Sequence, residues 1–484
     1  MKKSAKVNYI YNSLYTILNM FLPLITAPYL SRVLGVEGIG IYAYSYSIAQ
    51  YFVLIAKLGL VNYGTREISK VKDRQSKSEI FSNLFFLQLI STFLASMAYM
   101  IYFCLLVKNN YIVSLIFFSW IMLSFLDIDW FWFGEEEFKK VSIRNIIIKL
   151  LTIVFVFIFV NSENDVWLYS LIMVIGYIVG YMSIWIGIRK KIDIVKPNLK
   201  ILKKHVRPCV IMLIPVLALS IYRSMDKVML GAISGMSETG IYENGEKLIF
   251  CLSSLISSLG TVMLPKISYL VELKDETKIQ DYILKSLKFM MIMTSAMAFG
   301  LMSIANNIIP ILFGQSFKKS SLVLFLCSPI LLFMGWSNVI RTQYIIPHKL
   351  DGIYVKSISY GSIVNLFFNF IFIPKYNAMG AVIGTLIAEL FVPIFQYFKL
   401  KDVLPYQFYM RETFIYSIIG ICMFLVLKIL DNYITSVIFS LFIQIIIGAT
   451  LYCILVYVYI KHFDKNFYLY IKSILKLRRK NNES

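Results

Sequence analysis

Residues 35–42 read GVEGIGIY, and residues 235–242 read GMSETGIY. The two octapeptides share the first Gly and the closing Gly-Ile-Tyr, at an offset of 200 residues. One lies between the first and second long apolar segments of the chain, and the other lies between the seventh and eighth. A match at equivalent positions predicts two six-segment halves. Because six is an even number, both halves have the same orientation, as in the parallel repeats common in transporters.

The composition restricts the chain to one class of protein. Its 484 residues are 58% hydrophobic and 15% charged, and the mean hydropathy is +0.72. Soluble proteins carry about 25% charged residues, so an ordinary soluble enzyme, a disordered protein and a disulfide scaffold are excluded. A membrane-crossing helix needs about 20 apolar residues. By that rule we predict an all-α polytopic membrane protein with about 14 transmembrane helices.

The apolar segments and the repeat together predict three parts. Residues 1–200 form an N-terminal six-helix bundle, and residues 201–400 form a second, parallel-repeated six-helix bundle. Residues 401–484 add a C-terminal helix pair with a basic tail. The segments are joined by short connections, so we predict no sizeable domain outside the membrane.

The positive charges test this division into segments. The net charge is +21, from 48 Lys and Arg against 27 Asp and Glu. If the segments alternate across the membrane, 37 of the 48 lie on the side of the N terminus and 6 on the opposite side. Lys and Arg concentrate in cytoplasmic loops, so both termini are predicted to be cytoplasmic. We therefore attribute the net charge to topology and anionic lipid contact, and predict no nucleic-acid partner.

No catalytic or metal-binding motif is present in the sequence. The six Cys and three His do not cluster, and no phosphate-binding loop or zinc motif occurs. We therefore predict that the protein is not an enzyme and has no metal or cofactor. A coupling ion, H⁺ or Na⁺, is the one exception that the pattern leaves open.

Polar residues inside membrane segments are functional candidates because they are costly in lipid. Arg223, Asp226 and Lys227 of the seventh segment are spaced i, i+3 and i+4, so they share one helix face. They either face a cavity or pair internally to lock helices together. The segment also contains Pro208 and Pro215, which predict a bent helix.

Other polar residues occur at helical spacing in the remaining segments. Asn12 and Asn19 lie on one stripe of the first segment, and Asn365 and Asn369 are one turn apart in the eleventh. The latter pair either bonds between helices or contacts a sugar. Glu389 is either an ion-coupling carboxylate or a protonated packing residue.

Charged residues nearer the cytoplasmic ends have simpler interpretations. Lys57 and Lys149 are predicted to snorkel to the interface. Asp127 and Asp129 are predicted to lie at the interface or to pair with a nearby base, and three candidates follow them in the sequence: Lys139, Lys140 and Arg144.

Several motifs resemble the polysaccharide repeat-unit flippases of the multidrug/oligosaccharidyl-lipid/polysaccharide exporter superfamily. Residues 29–42 (YLSRVLGVEGIGIY) and 58–70 (LGLVNYGTREISK) resemble the family's N-terminal signature. Residues 226–231 (DKVMLG) with 240–248 (GIYENGEKL) resemble its seventh-span motif. The later signature is matched by TQYIIP at 342–347 and by VNLFFNFIFIPKYNAMGAVIGTLIAE at 364–389, where Asn377 replaces the usual Gly.

The resemblance implies a function. Such proteins move polyprenyl-diphosphate-linked oligosaccharide units from the inner to the outer leaflet of the bacterial plasma membrane by alternating access. By this resemblance Arg223 and Lys227 contact the diphosphate or an acidic sugar, and Arg32 assists release at the outer mouth. Asp226 orients the two bases, and Glu389 couples transport to an ion gradient. The sugar-facing candidates are Asn12, Asn19, Asn365 and Asn369.

Alternatives remain open at this point. A drug or cation antiporter of the same superfamily would favour an acidic cavity, whereas the deep charges here are mostly basic. A membrane glycosyltransferase or polymerase would need a large outer loop with acidic residues. A passive scramblase and a structural partner in a synthesis complex, acting with glycosyltransferases and a polymerase, also fit. The glycan is open among O-antigen, capsule, teichoic acid and other exopolysaccharides.

Overall fold

The computed structural model describes residues 3–401, 403–404, 406–434, 436–470 and 472–473. Side chains are described from Leu22 onward, except that of Tyr406. Within these residues the chain forms helices and connecting turns and no strand. The all-α fold predicted from composition is confirmed.

Sixteen α-helices occur in the described residues. They are α1 (Lys3–Lys57), α2 (Leu60–Ser69), α3 (Arg74–Leu106), α4 (Tyr111–Met122), α5 (Asp129–Gly134), α6 (Phe138–Phe159), α7 (Val166–Ser183), α8 (Leu199–Ile233), α9 (Met236–Glu272), α10 (Glu276–Phe313), α11 (Ser320–Cys327), α12 (Ile330–Ile340), α13 (Asp351–Tyr376), α14 (Ala378–Lys399), α15 (Tyr406–Asp431) and α16 (Val437–Phe463).

These helices make fourteen passes of membrane length in the described residues. Thirteen helical stretches are long and apolar enough to span, and α1–α2, α4–α5 and α11–α12 each count as one stretch. Helix α1 has 55 residues, whereas about 20 suffice for one pass. Its backbone leaves the helical region at Gly35, where φ is 66° and ψ is −176°. Because the helix is interrupted at this residue, α1 divides there into two spans. Glycine permits the interruption, since it adopts this backbone conformation more readily than other residues.

The repeated octapeptide has a structural counterpart at two glycine positions. Gly35 and Gly235, its first residues, both have positive φ, 66° and 97°. Gly40 and Gly240, its sixth residues, lie where two helices touch through their backbones. A Cβ atom on Gly40 would lie 1.7 Å from the carbonyl oxygen of Met236, and one on Gly240 would lie 2.0 Å from that of Val36. The repeat thus supplies a turn and a close helix crossing.

The chain divides into two compact units. The first comprises Met1–Glu243 with Asn369–Ala381, and the second comprises Asn244–Phe368 with Val382–Ser484. The turn between α13 and α14 therefore belongs to the first unit. The division into bundles at residues 200 and 400 stays a prediction.

An aromatic core occupies the α2–α5 region of the first unit. Trp130, Phe131 and Trp132 are buried there against residues of α2, α3 and the segment that follows α7. The Trp130 indole donates to Gln88 Oε1 at 3.0 Å, and the Trp132 indole donates to the Ile184 carbonyl at 3.0 Å. Both indoles are therefore satisfied although they are removed from solvent.

Two ion pairs lie beside this core. Arg144 binds Asp129 through both guanidinium nitrogens, at 2.8 and 2.7 Å, so the predicted pairing of Asp129 is confirmed. Lys57 pairs with Asp127 and also lies over the Tyr181 ring. The prediction that Lys57 snorkels was wrong, because folding brings a buried carboxylate from seventy residues away in the sequence to its ammonium group.

The linker between α7 and α8 is held against α3. Lys191, at its start, pairs with Glu137 at 2.9 Å, and this hydrogen bond raises the pKa of the ammonium group. Farther along, α3 side chains accept hydrogen bonds from linker N–H groups. The pairs are Ser78 with Asp193 at 2.9 Å, Ser82 with Val195 at 3.0 Å and Asn83 with Asn198 at 2.8 Å.

In the second unit α10 packs against α15 and α16. Asp431, at the end of α15, accepts hydrogen bonds from Asn307, Ser440 and Gln444 at 2.7–2.9 Å. Lys288 pairs with Asp464 at the opposite end of these helices. The C-terminal helix pair, α15 and α16, is therefore bonded to α10 at both of its ends.

Candidate functional site

The polar face predicted on α8 is present, and its three members have different surroundings. Asp226 is 2% exposed. The Lys227 side chain is 16% exposed, and Arg223 is exposed. Helix α8 has 35 residues and contains Pro208 and Pro215. The three side chains lie in its last three turns.

Lys227 forms an ion pair with Glu243 of α9. The Nζ–Oε2 distance is 2.7 Å, and the Glu243 side chain is 20% exposed. An ion pair that is largely withdrawn from water is held by stronger electrostatic attraction than a surface pair. Sequence reasoning did not single out Glu243 as a site residue. A signal was available, because Glu243 directly follows the repeated Gly-Ile-Tyr.

Asp226 accepts hydrogen bonds at both carboxylate oxygens. The Tyr242 hydroxyl donates to Oδ2 at 2.6 Å, and the Asn369 amide donates to Oδ1. Three helices, α8, α9 and α13, therefore meet at one buried carboxylate within the first unit. Tyr242 closes the repeated octapeptide, so the repeat contributes to the site as well as to the fold. The prediction that Asp226 orients Arg223 and Lys227 stays a prediction.

The asparagines of α13 bond to neighbouring helices. Asn365 is 2% exposed and donates to Thr385 Oγ1 of α14 at 3.4 Å. Asn369 is 0% exposed and reaches Asp226. These bonds match the helix–helix alternative stated for the pair, and sugar contact by either side chain stays a prediction. Glu389 is 8% exposed on α14, in the second unit.

The remaining candidates lie on α1. The side chains of Asn12 and Asn19 are outside the described residues. Arg32 is exposed and lies one turn before the break at Gly35. Among the described residues there is no group of three or more His, Cys, Asp or Glu side chains placed to hold a metal ion.

Replacing Asp226 by Ala should destabilise the fold. The change removes the acceptor of two buried donors, and each unsatisfied polar group costs about 1–3 kcal/mol. We expect a loss of about 2–5 kcal/mol, measured as a lower unfolding midpoint of the purified protein. Asp226→Asn keeps an acceptor oxygen and should cost less, and Tyr242→Phe removes one of the two bonds. An Ala variant as stable as the native protein would contradict the assignment.

Known proteins resemble this chain in sequence. A family model described as "Polysaccharide biosynthesis protein" matches residues 5–271. A protein of Escherichia coli K12 named "Putative O-antigen transporter" is 25% identical over 402 residues, covering 81% of this chain and 95% of the relative. A protein of the same name from Shigella dysenteriae is 23% identical over 389 residues, covering 79% and 96%.

The fold has a solved counterpart. The lipid II flippase MurJ in its inward closed conformation superposes with a TM-score of 0.68 over 91% of this chain and 99% of that chain, at 19% identity. At 19% identity, this superposition shows that the two proteins share a fold. The family model covers more than half of the chain, including the repeated octapeptides and the α8 face. The chain therefore belongs to the polysaccharide biosynthesis protein family that its motifs resemble.

Proposed function

We propose that the protein is a flippase for polyprenyl-diphosphate-linked oligosaccharide repeat units. It moves them from the inner to the outer leaflet of the bacterial plasma membrane by alternating access, with both termini in the cytoplasm. It acts as a transporter and not as an enzyme, beside the glycosyltransferases and polymerase of the same pathway. The observation that carries the proposal is the α8 face with Arg223 and Lys227, which lies inside a membrane span. The relatives of the chain include a protein named as a putative O-antigen transporter.

The chemistry of such a substrate fits this face. A diphosphate with sugars attached cannot cross hydrocarbon unaided, because charged and hydroxyl groups lose their water there. Arg223 is exposed, and among the described residues its guanidinium has no hydrogen bond or ion pair. Its planar fork matches phosphate oxygens, and the Lys227 ammonium adds a point charge one turn away.

The other predicted residues complete the proposal. Asn12, Asn19, Asn365 and Asn369 present amides to the glycan as the cavity opens, and Arg32 assists release on the outer side. Asp226 orients Arg223 and Lys227. Glu389 is the site at which an H⁺ or Na⁺ gradient is coupled to transport.

The function can be tested in proteoliposomes. A fluorescent polyprenyl-diphosphate oligosaccharide is placed in the membrane, and an impermeant quencher reports the leaflet that it occupies. We expect exchange between leaflets that depends on the protein and is absent for a phospholipid with the same fluorophore. Exchange of both lipids would indicate a scramblase. Resistance of overexpressing cells to cationic drugs, without lipid transport, would indicate an antiporter and contradict the proposal.

Glu389→Gln should remove the response to an ion gradient. The substitution keeps the size of the side chain but removes its titratable charge. Transport is measured with an imposed pH gradient, with an imposed sodium gradient and without a gradient. In the variant we expect the gradient-driven rate to fall about tenfold or more, to the rate measured without a gradient. Glu412→Gln is the control, since Glu412 is also buried, at 2% exposed, but lies on α15. Unchanged coupling after Glu389→Gln would make Glu389 a packing residue.

A further inference from the structure

Tyrosine side chains cluster in two pairs in one region of the first unit. The Tyr42 and Tyr169 ring centroids lie 4.4 Å apart, and the Tyr46 and Tyr177 rings both stack on Trp120. The first member of each pair lies on the second span of α1, and the other lies on α7. Tyr42, Tyr46 and Tyr177 are half-buried, so part of each side chain is open. We call these four residues the phenol wall.

Trp120 of α4 lies at the centre of the phenol wall. Its ring stacks on Tyr46 at a centroid distance of 5.5 Å and on Tyr177 at 4.8 Å, with interplanar angles of 12° and 22°. Its indole N–H donates to the Tyr181 hydroxyl at 3.1 Å. Aromatic rings from three helices, α1, α4 and α7, therefore pack against one another in this cluster.

Each phenol pair has hydrogen-bonding capacity left over. A hydroxyl has one donor and two acceptor sites, so a bond between two hydroxyls leaves one O–H without an acceptor. Within the described residues the four phenols have no other acceptor. An unused donor inside a membrane bundle is unfavourable unless water or a ligand occupies the site. The wall is therefore complementary to a molecule that carries several hydroxyl groups.

The wall adjoins the cationic face of α8. The second span of α1 packs on α8, where the Tyr44 ring lies against Gly231, one turn beyond Lys227. Tyr46 follows two residues later on α1 and lies within electrostatic range of Lys227 and Glu243. Tyr169 lies within electrostatic range of Glu243. A ligand whose phosphates contact Lys227 would therefore have the group next to its diphosphate on the side of α8 that faces the phenol wall. In a lipid-linked oligosaccharide that group is the first sugar.

We infer that the phenol wall is a sugar-binding subsite of the first unit, occupied by the sugar nearest the diphosphate. This inference rests on the proposed function. A sugar has C–H faces that pack on aromatic rings and hydroxyls that both donate and accept hydrogen bonds. The half-buried rings of Tyr42, Tyr46 and Tyr177 supply the packing surface, and the spare O–H groups supply the donors. A prenyl or acyl chain would leave those donors unsatisfied.

Binding to the purified protein in nanodiscs tests the inference. Two probes are compared: a polyprenyl diphosphate that carries one N-acetylglucosamine, and the same polyprenyl diphosphate without sugar. We expect the native protein to prefer the sugar-bearing lipid. The Tyr46→Phe/Tyr177→Phe variant keeps both rings but loses two hydroxyls, and should bind the sugar-bearing lipid about tenfold more weakly. Its affinity for the bare diphosphate should not change.

Tyr44→Phe is the matched control. Tyr44 lies on the same helix between Tyr42 and Tyr46, and its hydroxyl is 3.3 Å from that of Tyr102. Two residues along a helix point to nearly opposite faces, so this loss of a hydroxyl should leave both affinities unchanged. Unfolding midpoints of all variants show that the fold is retained, and Tyr177→Phe alone serves if the double variant is unstable.

The outcomes separate the inference from the proposed function. If the native protein binds both lipids equally, or if the double variant loses affinity for both lipids equally, the sugar subsite is overturned and the flippase remains. If the native protein binds neither lipid, the proposed function fails as well. Loss of affinity in Tyr44→Phe equal to that in the double variant would also overturn the subsite.

Discussion

Replacing Lys227 by Ala is expected to lower lipid-linked oligosaccharide transport about a hundredfold or more. Lys227 supplies a cation inside a membrane span, where little water is present to weaken its attraction to a diphosphate. Its ammonium is 2.7 Å from Glu243 in this structure, so substrate phosphates would compete with that carboxylate. Arg223→Ala should have a similar effect, and Arg223→Lys should be intermediate because the bidentate contact is lost. Transport in proteoliposomes is the measurement.

The loss of transport must be separated from a loss of folding. Lys227→Ala alone removes the ion-pair partner of the half-buried Glu243 carboxylate, and breaking a buried ion pair costs about 3–5 kcal/mol. The double variant Lys227→Met/Glu243→Gln removes both charges together, so we expect it to fold and yet to transport poorly. The exchange Lys227→Glu/Glu243→Lys restores an ion pair but moves the cation to α9. Normal transport by either double variant would show that Lys227 serves only to pair with Glu243.

Gly240→Val is expected to prevent accumulation of folded protein. Even the Cβ atom of Ala would lie 2.0 Å from the Val36 carbonyl oxygen, and the backbone cannot yield as a side-chain tip would. Gly40→Val should be equally severe, since its Cβ would lie 1.7 Å from the Met236 carbonyl oxygen. Overpacking usually costs about 1–3 kcal/mol, and backbone overlap of this size should exceed that range. Size-exclusion chromatography of the membrane extract is the measurement.

Gly352 provides the control for this effect. It lies in α13, and an added Cβ atom would meet no other atom within 4 Å. Gly352→Ala should therefore give normal amounts of folded protein, because Ala also has the higher helix propensity. If Gly240→Val folds as well as Gly352→Ala, the helices do not cross at these glycines.

Much of the fold could be predicted from the sequence because the governing forces are local along the chain. About 20 apolar residues must form a helix in lipid, since every backbone group needs a partner within the segment. The alternation of Lys and Arg between loops then checked the number of segments. The octapeptide at residues 35–42 and its echo at 235–242 predicted the equivalence of two turns, and Gly35 and Gly235 both have positive φ.

The candidate site was predicted only in part. The i, i+3, i+4 spacing placed Arg223, Asp226 and Lys227 on one face of α8, because helix geometry alone decides this. The partners of these residues were not predictable: Glu243 for Lys227, and Tyr242 with Asn369 for Asp226. Asn369 lies 143 residues from Asp226, and no periodicity in the sequence relates the two.

By itself, the sequence determined that the protein is a helical membrane transporter-like chain, which way its loops are charged and which helix carries the basic face. Only the tertiary structure decided which charges are already paired, that Gly40 and Gly240 mark a backbone crossing, and that tyrosine rings of α1 and α7 pack together. The reason is physical. Hydrophobic length and helical spacing act between neighbours in the chain, whereas ion pairs, hydroxyl pairs and close crossings depend on which helices pack together.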